Sequence, residues 1–96
     1  MYRIEYDTVK SERNRLERGL CFEQVAAFNF ETAIYEMDER RDYGEVRIRA
    51  LGFLDERLHA LVFIDVTNGI RIISFRKANK REVSKYEKTI KSKAGG

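Results

Sequence analysis

A basic segment near the end of the chain holds the residues best suited to chemistry. Residues 71–93 contain nine of the 19 Lys and Arg residues but only two acids, Glu82 and Glu87. Arg suits phosphate, because its planar fork of donors can bind two oxygens at once and stays charged. Positive charge gathered in one segment of so small a chain predicts a surface that binds a polyanion.

Arg76 is the first candidate for a catalytic residue, because it lies where a predicted strand gives way to a predicted helix. By alternation, Arg76 shares a strand face with Ile72 and Ser74. Arg71 falls on the opposite face, so the two arginines line one site only if the strand twists strongly or bulges. The alternative is that Arg76 is a solvent-exposed residue at the end of the sheet.

Three further cations, Lys77, Lys80 and Arg81, flank the predicted helix start. Like charges one helical turn apart, such as Lys77 and Arg81, repel each other. An anionic partner would relieve that repulsion, so these residues are candidates for binding phosphate groups or acidic residues of a partner. The alternative is a solubilising helix face.

Three further residues are candidates for catalysis: the carboxylate Glu45, the cation Arg47 and the phenol Tyr86. A predicted strand over residues 45–54 places Glu45 and Arg47 on one face, two residues apart. Glu45 could act as a general base held by Arg47, but a neighbouring Arg lowers a carboxylate pKa and weakens the base, so a structural ion pair is the alternative. Tyr86 falls on the apolar stripe of the last predicted helix, with Val83 and Ile90. It is either a core residue with its hydroxyl at the rim or a catalytic phenol.

The single His and the single Cys are predicted to be structural. His59 alternates with Leu61 and Phe63 along a central predicted strand, and Cys21 precedes a short predicted helix. One His and one Cys cannot build a zinc site, and the glycines are too scattered for a phosphate-binding loop. The sequence therefore predicts no metal and no cofactor.

The elements that must position these residues follow the order β-α-α-β-β-β-β-α. We expect strands at residues 2–6, 32–37, 45–54, 57–66 and 70–77, and helices at 8–18, 22–29 and from 79 toward 93. Asp7 and Gly19 delimit the first helix. Asn68-Gly69 is the strongest hairpin signal, and Asn79 with Glu82 resembles a capping box. Hairpin-connected strands predict an antiparallel sheet, so the fold class is α+β with two N-terminal helices and one C-terminal helix.

Length and hydropathy favour one domain in the cytoplasm. We expect a single domain over residues 1–96, with a frayed tail over about 91–96. The longest apolar run, residues 60–64, is far shorter than the roughly 20 residues that span a bilayer, and the N-terminus lacks a signal-peptide core. A single cysteine excludes an internal disulfide, which is typical of a reducing compartment.

Several short segments carry a family resemblance. They are Asp7-Thr-Val-Lys10, Asn14, Glu17-Arg-Gly-Leu-Cys-Phe-Glu23, Asp42-Tyr-Gly-Glu-Val-Arg47, Ala50-Leu-Gly52 and Arg71-Ile-Ile-Ser-Phe-Arg-Lys-Ala-Asn-Lys-Arg-Glu82, with Tyr86. Together they resemble the BrnT family over about residues 2–88. The run from Arg71 to Ala78 is specific to that family.

The resemblance implies a RelE-like fold and a toxin of a type II toxin–antitoxin pair, an endoribonuclease that halts translation. It also implies a BrnA-like antitoxin that neutralises the toxin in a hetero-oligomer and binds operator DNA. Many family members carry Lys-His-Gly where this chain has Glu17-Arg18-Gly19. Arg18 cannot titrate near neutral pH, so we expect it to bind RNA rather than to transfer protons.

RNA cleavage without a metal uses the substrate's own 2′-hydroxyl as the nucleophile, and the protein supplies a base, cations and an acid. Because the chain is rich in Arg, we expect catalysis mainly by electrostatics and positioning. The catalytic candidates are then Arg76, Glu45, Arg47 and Tyr86, and the RNA-binding candidates are Lys77, Lys80, Arg81 and Arg18. Two alternatives remain open: a non-catalytic nucleic-acid-binding module, and a regulatory partner that binds only the antitoxin.

Overall fold

The computed structural model describes residues 2–95, with side chains as far as residue 93. The elements, in chain order, are β1 Arg3–Glu5, α1 Thr8–Arg18, a 3₁₀ helix Phe22–Ala27, β2 Ile34–Met37, β3 Ile48–Leu54, β4 Arg57–Val66, β5 Gly69–Lys77 and α2 Lys80–Gly95. The fold is therefore mixed α+β, the predicted class. In the described part of the chain, no helix has the length and apolar character needed to cross a membrane.

The five strands form one sheet in the order β1-β5-β4-β3-β2. Strands β2 to β5 are antiparallel neighbours, but β1 lies parallel to β5. The prediction of a purely antiparallel sheet is therefore wrong. A hairpin imposes antiparallel pairing only on consecutive strands, whereas β1 reaches β5 from the distant N-terminus and is free to pair either way.

Gly69 makes room for the parallel pairing of β1. A Cβ atom at this position would lie 2.0 Å from the carbonyl oxygen of Arg3, so a larger residue would push β1 away from β5. Asn68 takes the turn position with positive φ, at 62°. The hairpin signal of Asn68-Gly69 is confirmed, but its glycine serves the close approach of a strand rather than a left-handed turn.

Helix α1 has its predicted bounds because both ends are capped. The Asp7 carboxylate accepts hydrogen bonds from the backbone N–H groups of Val9 and Lys10 at 2.8 and 3.2 Å. Gly19 adopts the left-handed conformation at φ 72°, and its N–H donates to the carbonyl of Arg15 at 2.9 Å. These contacts fix where α1 begins and ends. The end of α1 in turn sets where Leu20 and Phe22 enter the core.

The second predicted helix is a 3₁₀ helix, so the fold has one N-terminal α-helix rather than two. The N–H of Cys21 donates to the Gln24 side chain at 2.9 Å and starts this short turn. The N–H of Phe28 donates to Val25 three residues back at 3.0 Å, and the backbone of Phe28 is then extended. Phe28 is buried in the core, and its extended backbone ends the helix after Ala27, so the segment remains a short 3₁₀ helix.

The sheet has two faces, which differ in what covers them. The core face packs against the 3₁₀ helix and the residues around it through a large buried cluster: Leu20, Phe22, Val25, Phe28, Ala50, Leu54, Leu61, Phe63, Ile70, Ile72 and Phe75. The opposite face, which we call the groove face, packs against α2 through a smaller cluster: Leu51, Leu58, Ala60, Ala78 and Tyr86. The smaller apolar cluster leaves room on the groove face for charged side chains.

A β-bulge in β5 decides which side chains share the groove face. Ile73 is the extra residue, since the flanking register pairs are Val62–Ser74 and Phe63–Ile72. The bulge places Arg71, Ser74 and Arg76 on the groove face and turns Ile72 to the core face. The prediction that Arg76 shares a face with Ile72, opposite Arg71, is therefore wrong, whereas its partnership with Ser74 is confirmed.

The bulge follows from the spacing of the core residues in β5. Ile70, Ile72 and Phe75 are all buried in the core cluster, with exposed fractions of 1%, 3% and 0%. Strict alternation would direct Phe75 away from Ile70 and Ile72, because the interval between Ile72 and Phe75 is odd. One extra residue restores all three to the same face.

Several details of the elements differ from the sequence predictions, among them the starts of β1 at Arg3 and of β2 at Ile34. Strand β3 begins at Ile48 rather than at residue 45, and Val46, which precedes it, is 59% exposed. The helical stripe includes buried Tyr86 and half-buried Val83, but Ile90 is exposed, so the predicted stripe is wrong at its last position. Helix α2 continues to Gly95, across most of the predicted frayed tail, and residue 96 lies outside the described residues.

Candidate functional site

A groove of about 360 Å³ opens on the groove face beside the first turn of α2. Its lining residues are Glu36, Arg40, Arg49, Leu51, Arg76, Asn79, Arg81, Glu82 and Lys85. Five of these side chains are cations and two are carboxylates, and the set, drawn from the described residues, includes no His or Cys. The net positive charge makes the groove suited to an anion bound through charge-assisted hydrogen bonds.

Arg76 is held at the rim of this groove by Glu82. Its Nη1 and Nη2 atoms donate to the two carboxylate oxygens at 2.7 and 2.9 Å, and Nη1 also donates to the carbonyl of Lys77 at 3.3 Å. The bidentate bond lowers the pKa of Glu82 and raises that of Arg76. Arg76 is therefore fixed in orientation before any ligand binds.

Glu82 also caps α2, as the sequence predicts. The N–H of Asn79 donates to Glu82 Oε1, and the N–H of Glu82 donates to Asn79 Oδ1, both at 2.9 Å. One carboxylate thus ties the start of α2 to the end of β5. Because the same carboxylate binds the Arg76 guanidinium, the orientation of Arg76 depends on the helix cap.

A second ionic cluster is centred on Glu36 of β2. Its carboxylate accepts hydrogen bonds from Lys85 of α2 and from Arg49 of β3, whose Nε lies 3.0 Å away. These bonds, first that from Lys85 and then that from Arg49, lower the pKa of Glu36. The cluster joins α2 to β2 and β3, and its three residues line the groove.

Arg40 reaches the groove from the loop between β2 and β3, where Asp38 anchors it. The Asp38 side chain is 1% exposed and accepts bonds from Arg40 Nε and Nη2, each at 2.7 Å. The hydroxyl of Tyr43 donates to the same carboxylate at 3.3 Å. Hydrogen bonding by Arg40 lowers the pKa of Asp38 to about 2. Arg40 itself remains 62% exposed and accessible to a ligand.

The groove arginines retain donors for a ligand. Within the described chain, the Nε of Arg76 and one hydrogen of its Nη2 have no hydrogen-bond partner, and the same holds for Nη1 of Arg40 and of Arg49. Arg81 is exposed and has no carboxylate partner among the described residues. A phosphate can therefore bind without first breaking the ion pairs that hold the site.

Of the predicted site residues, the structure brings only Arg76 and Arg81 into the groove lining. Glu45 and Arg47 bond to each other at 3.1 Å, and the Arg47 guanidinium lies 3.9 Å from the centre of the Tyr43 ring. Neither Glu45 nor Arg47 lines the groove. Their contacts favour a role in ordering the loop that carries Arg40, because the Arg47 carbonyl accepts the N–H of Asp38 at 2.8 Å.

The other predicted residues lie outside the groove. Tyr86 is buried, and its hydroxyl donates to the carbonyl of Thr32 at 2.8 Å. Lys77 pairs with His59 in the register and so falls on the core face, while Lys80 is exposed at the start of α2. Arg18 lies on α1 and lines a separate cleft that also reaches Arg76.

His59 and Cys21 occupy structural positions, as predicted from the sequence. The His59 ring is buried on the core face, stacked against Phe75 with ring centres 5.3 Å apart, and bonds to the carbonyl of Arg57 at 2.8 Å. Burial lowers the pKa of His59. The Cys21 thiol is half-buried beside Gln24.

Four groove residues were not predicted from the sequence, Glu36, Arg40, Arg49 and Lys85, and Glu82 was predicted only as a helix cap. A signal was present for two of them, because Glu36 and Arg49 are charged residues inside predicted strands whose alternation places them on the face opposite Tyr35 and Ala50. Arg40 and Lys85 had no local signal. Their roles arise from the tertiary approach of a loop and a helix to the same sheet.

Comparison with known proteins identifies the family to which the chain belongs. A sequence model of the family described as "Ribonuclease toxin, BrnT, of type II toxin-antitoxin system" matches residues 6–82. A comparison with curated proteins found no match. The matched segment includes every groove residue except Lys85. The chain belongs to the BrnT family, the ribonuclease toxins of type II toxin–antitoxin systems.

Proposed function

We propose that the groove is the active site of an endoribonuclease, whose cleavage of RNA inhibits translation. The observation that carries the proposal is the convergence of Arg40, Arg49 and Arg76, each with its guanidinium held by a carboxylate. Arginines fixed in this way lose little conformational freedom when they bind a phosphate. The groove is therefore preorganised for an anionic transition state.

In the proposed reaction the 2′-hydroxyl of RNA attacks the adjacent phosphorus. The new bond to the 2′-oxygen forms as the bond to the 5′-oxygen of the next nucleotide breaks. Water takes the proton of the 2′-hydroxyl and supplies one to the departing 5′-oxygen, so a 2′,3′-cyclic phosphate and a 5′-hydroxyl remain. Negative charge grows on the non-bridging oxygens during the attack. The partner-free Nε–H and Nη2–H donors of Arg76 are available to bind these oxygens, and guanidinium groups would provide the positive charge.

Proton transfer has a smaller part in the proposal. Glu36 and Glu82 are the carboxylates of the groove, and hydrogen bonds from their cationic partners lower both pKa values. A low pKa keeps each carboxylate ionised but weakens it as a base for the 2′-hydroxyl. We therefore assign both residues to positioning the cations. Tyr86 is assigned to packing, because its hydroxyl proton is already donated to the backbone.

The surrounding cations would attract RNA rather than react with it. Lys80 and Arg81 lie exposed on the first turn of α2, where Arg81 lines the groove and Lys80 lies outside it. Lys77 is exposed on the other side of the strand end. Charges near a site raise the rate of encounter with a polyanion, and this contribution falls steeply with salt.

The proposed partner is a BrnA-like antitoxin that covers the groove. An acidic segment of such a protein would bind the same arginines as RNA and so compete with it. The complex would bind operator DNA through the antitoxin. High salt should weaken both contacts, because both depend on charge.

Cleavage of RNA by purified protein in the presence of EDTA tests the proposal. We expect wild-type protein to cleave, and Arg76→Ala to cleave about 10²–10³-fold more slowly, the loss that accompanies removal of one donor to a developing oxyanion. Arg57→Ala is the matched control, because Arg57 is exposed and lies outside the groove lining. Products should end in a 2′,3′-cyclic phosphate.

Two results would reject the proposal. Absence of cleavage by wild-type protein, with RNA still bound, would indicate the alternative of a non-catalytic nucleic-acid-binding module. Equal cleavage by Arg76→Ala and wild type would remove the groove as the active site. Inhibition of cell-free translation by wild type but not by Arg76→Ala would link the cleavage to the toxic effect.

A further inference from the structure

A second basic cavity lies at the edge of the sheet, between β5 and α1. Strand β1 pairs with β5 only as far as Arg71, so residues 72–77 have no neighbouring strand on that side in the described part of the chain. A cleft of about 260 Å³ separates this edge from α1. The residues that matter for its chemistry are Lys10, Arg13, Glu17, Arg18, Ser74 and Arg76.

The three cations that α1 contributes to this cleft are exposed and unpaired. Among the described residues, no carboxylate lies within 4.0 Å of Lys10, Arg13 or Arg18. Glu17 is the single carboxylate of the lining. Lys10 and Arg13 are like charges one helical turn apart, and one carboxylate against four cations leaves the lining net positive, so the cleft attracts an anion.

Arg76 joins this cleft to the groove, because its side chain lines both cavities. The two cavities thus form a continuous line of positive charge that bends round the free edge of β5. Lys10 and Arg18 are eight residues apart on α1, which corresponds to about 12 Å along the helix axis. That distance is comparable to about three to four nucleotides of a stacked strand.

We infer that the cleft binds the sugar–phosphate backbone of single-stranded RNA that continues beyond the nucleotides held in the groove. This inference rests on the proposed function, since the groove must hold RNA for the strand to enter the cleft. Proteins that bind single strands without sequence preference use a positively charged channel that follows the backbone in this manner. The cleft therefore sets the length of RNA that the toxin holds, and Arg76 is the point where this added segment meets the reacting phosphate.

The backbone of β5 argues against a peptide strand as the occupant. An added strand needs the outward carbonyl groups of the edge it joins. Here the Nδ2 of Asn14 donates to the carbonyl of Phe75 at 2.9 Å and to that of Leu20 at 2.8 Å. The side chain of Asn14 therefore occupies the middle of the edge, whereas the cationic side chains remain free.

Binding of uncleavable oligonucleotides tests the inference. The probes are 2′-O-methyl RNAs of 4 and 12 nucleotides, which lack the nucleophilic hydroxyl, with affinity measured by fluorescence anisotropy between 50 and 200 mM salt. The test variant is Lys10→Gln/Arg13→Gln/Arg18→Gln. The control is Arg57→Gln/Lys88→Gln/Lys91→Gln, which removes the same charge from exposed positions outside both cavities.

We expect the wild type to bind the longer probe more tightly than the shorter one, and the test variant to lose that advantage. Each phosphate contact of a single strand contributes about 0.7 to the slope of log affinity against log salt. Loss of three contacts lowers the slope by about 2, so wild-type affinity should fall about 20-fold more than that of the variant over this range. The control should follow the wild type, and thermal melting should show all three proteins folded.

Equal slopes in the test and control variants would overturn the inference. They would show that the protein's overall positive charge attracts RNA, rather than that the cleft binds the RNA backbone. Loss of antitoxin binding with unchanged RNA slopes would also overturn it and would assign the cleft to the protein partner. Because the probes cannot be cleaved, the proposed function is tested separately. If ordinary RNA is cleaved but the test variant has the same salt slope as the wild type, only the binding of RNA in the cleft is rejected. If binding depends on probe length but ordinary RNA is not cleaved, only the proposed catalysis is rejected.

Discussion

The core face and the groove face are built from alternate residues of the same strands, yet they are covered in different ways. The core face is closed by aromatic and aliphatic side chains that the 3₁₀ helix and its neighbours contribute. The groove face has a smaller apolar cluster under α2 and, beside it, carboxylates that hold arginines. Burial therefore provides the stability of the fold, while the incomplete cover of the second face provides a charged site.

Neighbours in β5 show the same division at the level of single residues. Phe75 is 0% exposed at the centre of the core cluster, and Arg76 points to the groove. The bulge at Ile73 makes this arrangement possible, because it aligns Phe75 with the core residues before it and Arg76 with the groove. Substitutions at these two positions should separate stability from activity.

The largest expected effect on stability is that of Phe75→Ala. Removal of a fully buried phenyl ring leaves a cavity and should lower the free energy of unfolding by about 3–5 kcal/mol in urea titrations. Arg76→Gln should lower it by about 1 kcal/mol, because it removes one partly exposed ion pair. Cleavage at a temperature where both variants are folded should show the reverse order, with Arg76→Gln the more damaged. Equal losses of stability would mean that the two faces do not divide their roles as described.

A smaller effect is expected at Asp38, which holds the loop that carries Arg40. Asp38→Asn should lower the free energy of unfolding at pH 7 by about 2 kcal/mol, because the pKa of Asp38 falls from 3.8 to about 2 in the folded chain. A lowered folded-state pKa stabilises the protein above pH 3.8, and the contribution is lost as the pH falls toward 2. The difference between wild type and variant should therefore shrink in urea titrations below pH 4.

Glu39→Gln is the control for this measurement. Glu39 is exposed and adjacent to Asp38, and no salt bridge involves it within the described chain. A difference between Asp38→Asn and wild type that stayed constant from pH 7 to pH 3 would indicate lost packing rather than a lost carboxylate charge. The groove face would then depend on shape more than on ion pairs.

The parts of the fold that follow from the sequence are those set by local contacts. Asp7 and Gly19 bound α1 through bonds to residues within one turn, and Asn79 with Glu82 begins α2 in the same way. The parallel pairing of β1 depends on contact between residues far apart in the chain, about which local signals are silent. The bulge at Ile73 is readable only once the buried residues of β5 are known.

The residues of the candidate site can likewise be divided into those that local sequence signals predict and those that depend on tertiary contacts. Arg76 and Arg81 could be predicted because they lie in a charged run at a strand–helix junction. Arg40 could not, because its place in the groove depends on where a loop is anchored. For Arg49, alternation along the strand indicates the face but not that α2 leaves this residue accessible. The face of Glu36 and the capping role of Glu82 could also be predicted, but not the cations that they orient, since an acidic residue gives no sign of its partner in the sequence.

The smallest expected effect lies at Asn79, where stability and site geometry meet. Asn79→Ala removes the oxygen that accepts the Glu82 N–H and should lower the free energy of unfolding by about 1 kcal/mol, as loss of a helix cap does. The N–H of Asn79 still donates to Glu82, but the first turn of α2 becomes looser. Because Glu82 also holds Arg76, we expect RNA cleavage to fall as well, by less than in Arg76→Ala.

Ser84→Ala on the exposed side of α2 is the matched control, because it changes helix composition without touching the cap or the groove. Thermal unfolding and RNA cleavage measured on the same preparations separate two outcomes. If Asn79→Ala lowers the melting temperature but cleaves RNA as fast as Ser84→Ala, the ion pair of Arg76 tolerates a frayed helix end. If both quantities fall together, the cap of α2 positions Arg76, and the groove face relies on a helix terminus where the core face relies on buried rings.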